Sequence, residues 1–416
     1  MTSEKSYRFH FLTILSGNTL SQLIPFVIAP FLTRVFTTED FGVNANWLSI
    51  VTLIGIISTG RLEMAIPLPK SNKEASRIFS SGLIFTIIFT LLSLLLIVFD
   101  DQIANWYKDP ELKYYLQMAP IGVFSVGLLN IFNNWSLRHR KYRRISVGKV
   151  VQSIVNNAGA LFLGYLSFGV WGLLIAWVVS QFLNAFVLIE KGDLSYLFRR
   201  KNFNTSNFKS IVSKYKDFPL VNSLHAFTDI FATQFILFYL IAVYFSKEEL
   251  GLFFLMHRFV RAPIVLISSS VSQLYYVEAS KAIQQNLSGL PMAFKTMKTA
   301  SIFAIPFLIV LLFFAPSIFS WYLGSEWREA GVYAQYLAPM FFLSFFVSPL
   351  SGTPLIFNRQ KTSFIINLCG YVLTLGSIFL GYMLEYTFAE TLILYAISFS
   401  LLYFVLLVWY LSLLRK

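Results

Sequence analysis

Twelve stretches of about 20 or more mostly apolar residues follow one another along the 416-residue chain. Each is long enough to cross a hydrocarbon layer of about 30 Å as a helix. They lie near 9–35, 42–66, 76–99, 114–137, 145–166, 168–189, 218–245, 250–275, 297–322, 329–356, 362–384 and 388–413. Inside a bilayer no water satisfies backbone N–H and C=O groups, so runs of this kind fold as helices that bond internally. The balance of side chains agrees, with 56% hydrophobic and 13% charged, against roughly 45–50% and about 25% in soluble domains. The pattern predicts an all-α integral membrane protein. Its first span is expected to be retained, because no small-residue processing site follows it.

The connections differ in charge from one side to the other. With the N-terminus placed in the cytoplasm, the inner segments collect 25 Lys and Arg residues and the outer ones 5, the bias that sets orientation. Both termini are therefore expected inside. The densest inner run is Arg138-His139-Arg140-Lys141-Tyr142-Arg143-Arg144, which topology alone explains. A basic inner face beside anionic membrane lipids accounts for most of the net charge of +13, leaving no case for nucleic-acid binding. One cysteine, Cys369, and four scattered histidines make neither a redox pair nor a metal site. No glycine-rich phosphate loop occurs either, so no cofactor is expected.

The longest polar connection, 191–217, divides the chain into a lobe at 1–190, a basic cytoplasmic linker and a second lobe at 218–416. The halves share a short motif. Phe36-Thr37-Thr38-Glu39-Asp40-Phe41-Gly42, between the first two spans, matches Phe245-Ser246-Lys247-Glu248-Glu249-Leu250-Gly251, between the seventh and eighth. Repeats of this kind occur in transporters that rock one bundle against another. Two six-helix bundles related by a pseudo-two-fold repeat are expected.

Ionisable side chains at membrane depth are costly and face a protein interior or an aqueous cavity. Arg258 and Arg261 are the sharpest case, since an i, i+3 spacing puts both guanidinium groups on one helix face near mid-membrane. Two readings of them stand: a bidentate grip on a phosphate-bearing substrate, or pairing with Asp229 to hold helices together. Asp229 is the candidate for proton or sodium coupling. Arg61 and Glu63, two residues apart, are expected on different helix faces near the inner end of the second span, with Arg61 snorkelling or lining the inner mouth of a cavity. Asn18, Gln22 and Pro25 form a polar stripe ending in a kink residue on the first span, suited to helix packing or to a cavity wall.

Several stretches in order resemble one family. They are LTRVFTTEDFG at 32–42, RLEMAIPLPK at 61–70, YKDFPL at 215–220, HRFVRAPIVLISSSVSQLYYVEAS at 257–280 and LGSEWREAGVYAQYLAPMFFLSFFVSPLS at 323–351. Together they resemble the polysaccharide biosynthesis transporters, the Wzx-type O-antigen repeat-unit flippases. The resemblance implies the exporter fold shared with multidrug-extrusion and lipid II flippases, with a central and often cationic cavity. It also implies a functional monomer of the bacterial inner membrane whose partner is an oligosaccharide on undecaprenyl pyrophosphate. Lipid II flippases of that superfamily usually carry two further helices, which disfavours their role here. An ion-coupled multidrug exporter would need an acidic cavity, and a membrane enzyme of polysaccharide assembly would need catalytic groups that His225 and His257 do not supply.

Overall fold

The computed structural model describes residues 17, 19–190, 192–193, 197 and 203–415, apart from the side chains of Ser269, Ser270 and Gln273. No strand occurs among them. Nine helices among the described residues are long and apolar enough to cross a membrane. The other three expected spans are helices as well: α1 (Thr19–Leu32), α7 (Ala119–Arg138) and α8 (Tyr142–Tyr165). The last two have the length but carry amide and basic side chains, including Asn134, Arg144, Gln152 and Asn157.

The chain forms two compact units, Met1–Tyr239 and Leu240–Lys416. Their boundary falls inside the seventh span, whereas the sequence places the divide at 191–217. Residues 218–239 belong with the first unit because they pack along α2 (Thr38–Ile57), where Thr52 Oγ1 lies 3.4 Å from Gln234 Oε1.

Each copy of the repeated motif starts a helix. In the first unit Thr37 caps α2: its side chain accepts from the Asp40 amide, and the Asp40 carboxylate accepts from the Thr37 amide at 2.8 Å. Phe36 and Phe41 meet edge to face at 6.2 Å across that cap, a hydrophobic staple that sets the entry angle. In the second unit Ser246 caps α12 (Lys247–Gln284) by accepting from the Glu249 amide. There the Glu249 carboxylate takes a hydrogen bond from the Tyr333 hydroxyl, tying the helix start to α14 (Arg328–Tyr336).

Three expected spans are interrupted. The second ends at Ile57; Gly60 and Arg61 then adopt positive φ and a 3-10 turn, Leu62–Ala65, follows. The third runs as α3 (Asn72–Ser93) and α4 (Leu95–Val98) before turning at Phe99 into α5 (Asp100–Trp106). The tenth divides at Leu337 into α14 and α15 (Ala338–Leu350), whose first turn holds Pro339, a residue that lacks an N–H and favours a helix start. By contrast, Pro263, Pro306 and Pro316 lie inside continuous helices.

In the first unit one core gathers Leu62, Ile78, Phe79, Phe132, Trp135 and Leu188, with Phe79 stacked on Phe132 at 5.5 Å. Another is built on Trp47, which meets Trp177 edge to face at 5.5 Å and donates from Nε1 to the Tyr115 carbonyl. α6 (Leu112–Leu116) and α9 (Val170–Leu188) supply those contacts.

The second unit is organised by α12 and α13 (Leu290–Leu323), of 38 and 34 residues. At 1.5 Å per residue they measure about 57 and 51 Å, well beyond the hydrocarbon thickness, so both extend past the expected 250–275 and 297–322. Their shared end is bridged by Lys295 and Glu278 at 3.5 Å. α16 (Gln360–Met383) and α17 (Phe388–Leu414) complete the unit. The closest approach of a glycine to another backbone is at Gly331, where an added Cβ would sit 2.5 Å from Pro316 Cα and 2.6 Å from the Ala315 carbonyl. Both obstacles are backbone and cannot rotate away. Gly331→Ala is expected to cost about 1–2 kcal/mol through forced separation of α13 and α14, read as a lower melting temperature of the purified protein.

Candidate functional site

The second unit holds the strongest site. Arg258 and Arg261 lie on α12, about 17 and 21 Å from its start at Lys247 by helical rise, which is mid-membrane depth. Arg258 is half-buried and held by a partner within the protein, while Arg261 is exposed. One turn before Arg261, His257 stacks on Phe253 with ring centroids 5.7 Å apart and also approaches Phe341. On α17, Tyr395 meets Phe253 edge to face with ring centroids 6.5 Å apart. Tyr395, Phe399 and Tyr403 form a row along that helix, with successive centroids 5.5 and 5.0 Å apart. The exposed guanidinium of Arg261 can bind an anion, while the buried Tyr395 belongs to the packing of α12 on α17. The row occupies i, i+4 and i+8, a signal present in the sequence but obscured by the 44 phenylalanines of the chain.

Arg61 and Glu63 are not separated on a helix. Because α2 ends at Ile57 and Arg61 takes a left-handed conformation, the two side chains meet, with Nη1 3.4 Å from Glu63 Oε1. Glu63 is 2% exposed and also accepts from the Thr59 hydroxyl. Arg61 additionally contacts Met64 Sδ at 3.1 Å, and its Nε is buried without a partner. The different-faces expectation fails because it assumes a continuous helix. Left-handed backbone at a non-glycine residue is unusual and concentrates at functional sites.

Gln22 sits on α1 with Oε1 buried and unpartnered, an acceptor left for a donor. Asn18 lies outside the described residues. Asp229 is half-buried and falls within the first unit, whereas the two arginines fall within the second. It belongs to α11 (Ser223–Ile230), and wide π turns at Phe218–Asn222 and Phe231–Ile236 flank that stretch. Such turns interrupt regular bonding and cluster at functional positions.

Two polar networks of the first unit escape the sequence reading. Between α8 and α9, Gln152 donates to Gln181 at 2.6 Å and accepts from Asn184 at 2.7 Å. After α7, the basic run makes specific contacts. Arg138 donates to the carbonyls of Ile66 and Pro69 at 3.1 and 2.6 Å and to Asn72 Oδ1 at 3.1 Å. Arg144 pairs with Glu190 at 3.1 Å. Burial would raise the Asp193 carboxyl, but the Lys141 ammonium at 2.6 Å and the Glu190 amide hold it below the usual carboxylate range. Nearby, α10 (Thr205–Lys214) docks on α3, and the Lys214–Glu74 hydrogen bond at 2.5 Å raises Lys214 above the ordinary ammonium value.

Comparison with known proteins adds three findings. Residues 31–332 match the family described as Polysaccharide biosynthesis protein. The Succinoglycan biosynthesis transport protein ExoT of Rhizobium meliloti (strain 1021) is 25% identical over 157 residues, 38% of this chain and 32% of that protein. The chain thus spans about a third of the length of that relative. Among solved structures, the lipid II flippase MurJ in an inward closed conformation superposes with a TM-score of 0.76 at 15% identity, covering 97% of this chain and 87% of that one. An outward-facing multidrug resistance MATE family transporter of the MOP superfamily gives 0.61 at 16% identity, covering 97% and 95%. At those identities the two structures establish the fold, a MATE-like membrane transporter architecture. The family match covers most of the chain, and the protein is accordingly a member of the polysaccharide biosynthesis protein family.

Proposed function

We propose that this protein is a flippase that carries an oligosaccharide linked to undecaprenyl pyrophosphate, an O-antigen or capsule repeat unit, from the cytoplasmic to the periplasmic leaflet of the bacterial inner membrane. The observation that carries the reading is the pair Arg258 and Arg261 at mid-depth of a spanning helix in a polysaccharide-biosynthesis fold. A sugar headgroup desolvated in lipid loses its hydrogen bonds at high cost, so its path must be polar while the polyprenyl tail stays in hydrocarbon. The arginines bind the pyrophosphate, and Arg61, Gln22 and Asn18 line the polar path. Movement proceeds by alternating access of a monomer with both termini inside. Asp229, between its two π turns, is the coupling group for a proton or sodium ion. The relatives named above for transport and flipping support export of a lipid-linked cargo over drug extrusion, because the mid-depth charge on α12 is cationic. None of the assigned roles requires covalent catalysis.

The test is a strain deleted for the gene. Lipid-linked repeat units are expected to accumulate on the cytoplasmic face and to clear when the intact chain is restored. Unchanged repeat-unit distribution, with altered drug tolerance instead, would assign the protein to multidrug export.

A further inference from the structure

The interrupted third span leaves an open apolar cavity of 610 Å³ in the first unit, walled mainly by Ile54, Leu92, Leu96, Phe99, Ile103 and Trp106. That volume is in the range of small-molecule sites, about 300–1,000 Å³. Leu94 keeps helical dihedrals, so the third span runs on to Val98; Phe99 then leaves the helical conformation and the chain turns into α5. The polar lining is limited to Ser93, whose hydroxyl is already spent on the Thr90 carbonyl, and Gln102 at the exposed edge. Asp100, Asp101 and the Lys113 that pairs with Asp101 at 3.3 Å stand just beyond, and Trp106 is 67% exposed. This is the side-chain order of a membrane interface, with hydrocarbon-lined space directly beneath charged and indole groups.

A second apolar feature lies beside the cavity. Ile54, Leu96 and Ile103, which line it, and Phe235 of the seventh span all pack against one buried cluster, Ile50, Tyr107, Leu112 and Leu116. Phe235 ends a row with Phe231 and Phe227 on the seventh span; successive rings are 5.5 Å apart and within 18° and 17° of parallel. All three rings are half-buried. A strip of near-parallel, stacked phenyl rings beside a pocket offers a long hydrocarbon chain an apolar bed of ring edges and offset faces.

We infer that this cavity and the Phe227–Phe231–Phe235 strip hold the polyisoprenoid tail of the transported lipid. The inference rests on the flippase reading and adds the place where the tail stays while the headgroup moves. A polyisoprenoid suits the strip better than a saturated acyl chain does. Its flat double bonds and regularly spaced methyl groups can lie on successive aromatic faces. A phospholipid chain covering the same wall is the competing occupant, and the experiment separates the two.

The full-length protein in proteoliposomes is irradiated with a diazirine-bearing polyprenyl phosphate or with a diazirine-bearing phosphatidylethanolamine, and adducts are mapped by mass spectrometry. The polyprenyl probe is expected to label residues 89–106 and Ile54, with labelling competed at least tenfold by unlabelled undecaprenyl phosphate. Filling the cavity with Ile54→Trp and Leu96→Trp is expected to lower the ratio of long-tail to ten-carbon-tail substrate transport about tenfold. Trp106→Ala, at the exposed rim, is expected to weaken the labelling without threatening the fold. Labelling spread evenly over the lipid-facing helices, equal labelling by the phospholipid probe, or an unchanged transport ratio in correctly folded variants would each overturn the tail site. Wild-type protein that moves no lipid-linked oligosaccharide would instead overturn the flippase reading on which it rests.

Discussion

Replacing Arg258 and Arg261 together by Gln is expected to lower transport of the lipid-linked oligosaccharide by about 10- to 100-fold, the equivalent of losing one strong charge-assisted interaction of about 1.5–3 kcal/mol. Two guanidinium groups three residues apart share a helix face and match a pyrophosphate in charge and geometry. The two single variants should differ. Arg261 is exposed, so Arg261→Gln should impair transport with little effect on folding. Arg258 is half-buried and engaged within the protein, so Arg258→Gln should also lower thermal stability. Arg261→Lys keeps the charge but loses the planar fork, and intermediate activity is expected. The readout is the ratio of repeat units at the two leaflets, normalised to protein in the membrane. Wild-type transport by the double Gln variant would remove both residues from substrate binding and leave helix pairing as their role.

Arg138→Ala should destabilise the first unit by about 3 kcal/mol, the upper end for hydrogen bonds made to a charged group. One guanidinium collects the carbonyls of Ile66 and Pro69 together with the Asn72 side chain. Those acceptors lie on the chain that leaves the 3-10 turn and caps the start of α3. Removing the donor leaves several partly buried oxygens without a partner, and Arg138→Lys offers too few donors in the wrong geometry to restore them. The melting temperature in detergent measures the loss, and Arg140→Ala is the control, since Arg140 is exposed at the surface. Equal stability of the two variants would return the whole basic run to a purely topological role.

The sequence located most helices because hydropathy reads burial in lipid without reference to neighbours. It was also right that Thr37 and Ser246 mark equivalent places, since an N-cap is a local device in which a hydroxyl bonds an amide three residues on. Where it erred, the missing information was non-local. Nothing in RLEMAIPLPK requires α2 to stop at Ile57. The break becomes stable when Glu63 finds Thr59 and Arg61, Arg138 arrives from α7, and Leu62 and Ile66 enter the core with Phe79 and Trp135. Apolar windows likewise cannot distinguish one straight third span from α3, α4 and α5 in series, as every residue from Leu94 to Phe99 suits either course.

Composition and pattern alone thus determined that the chain is an all-helical membrane protein and which connections are basic. Those properties follow from summed transfer preferences along one dimension. Tertiary structure decided which side chains meet: Arg61 with Glu63, and Arg138 with the Ile66 and Pro69 carbonyls. It also decided that an apolar cavity opens where the chain turns from the third span into α5. The physical reason is that lipid exposure is a property of each residue by itself, whereas an ion pair, a shared carbonyl or a cavity exists only between segments distant in sequence, whose approach is set by packing.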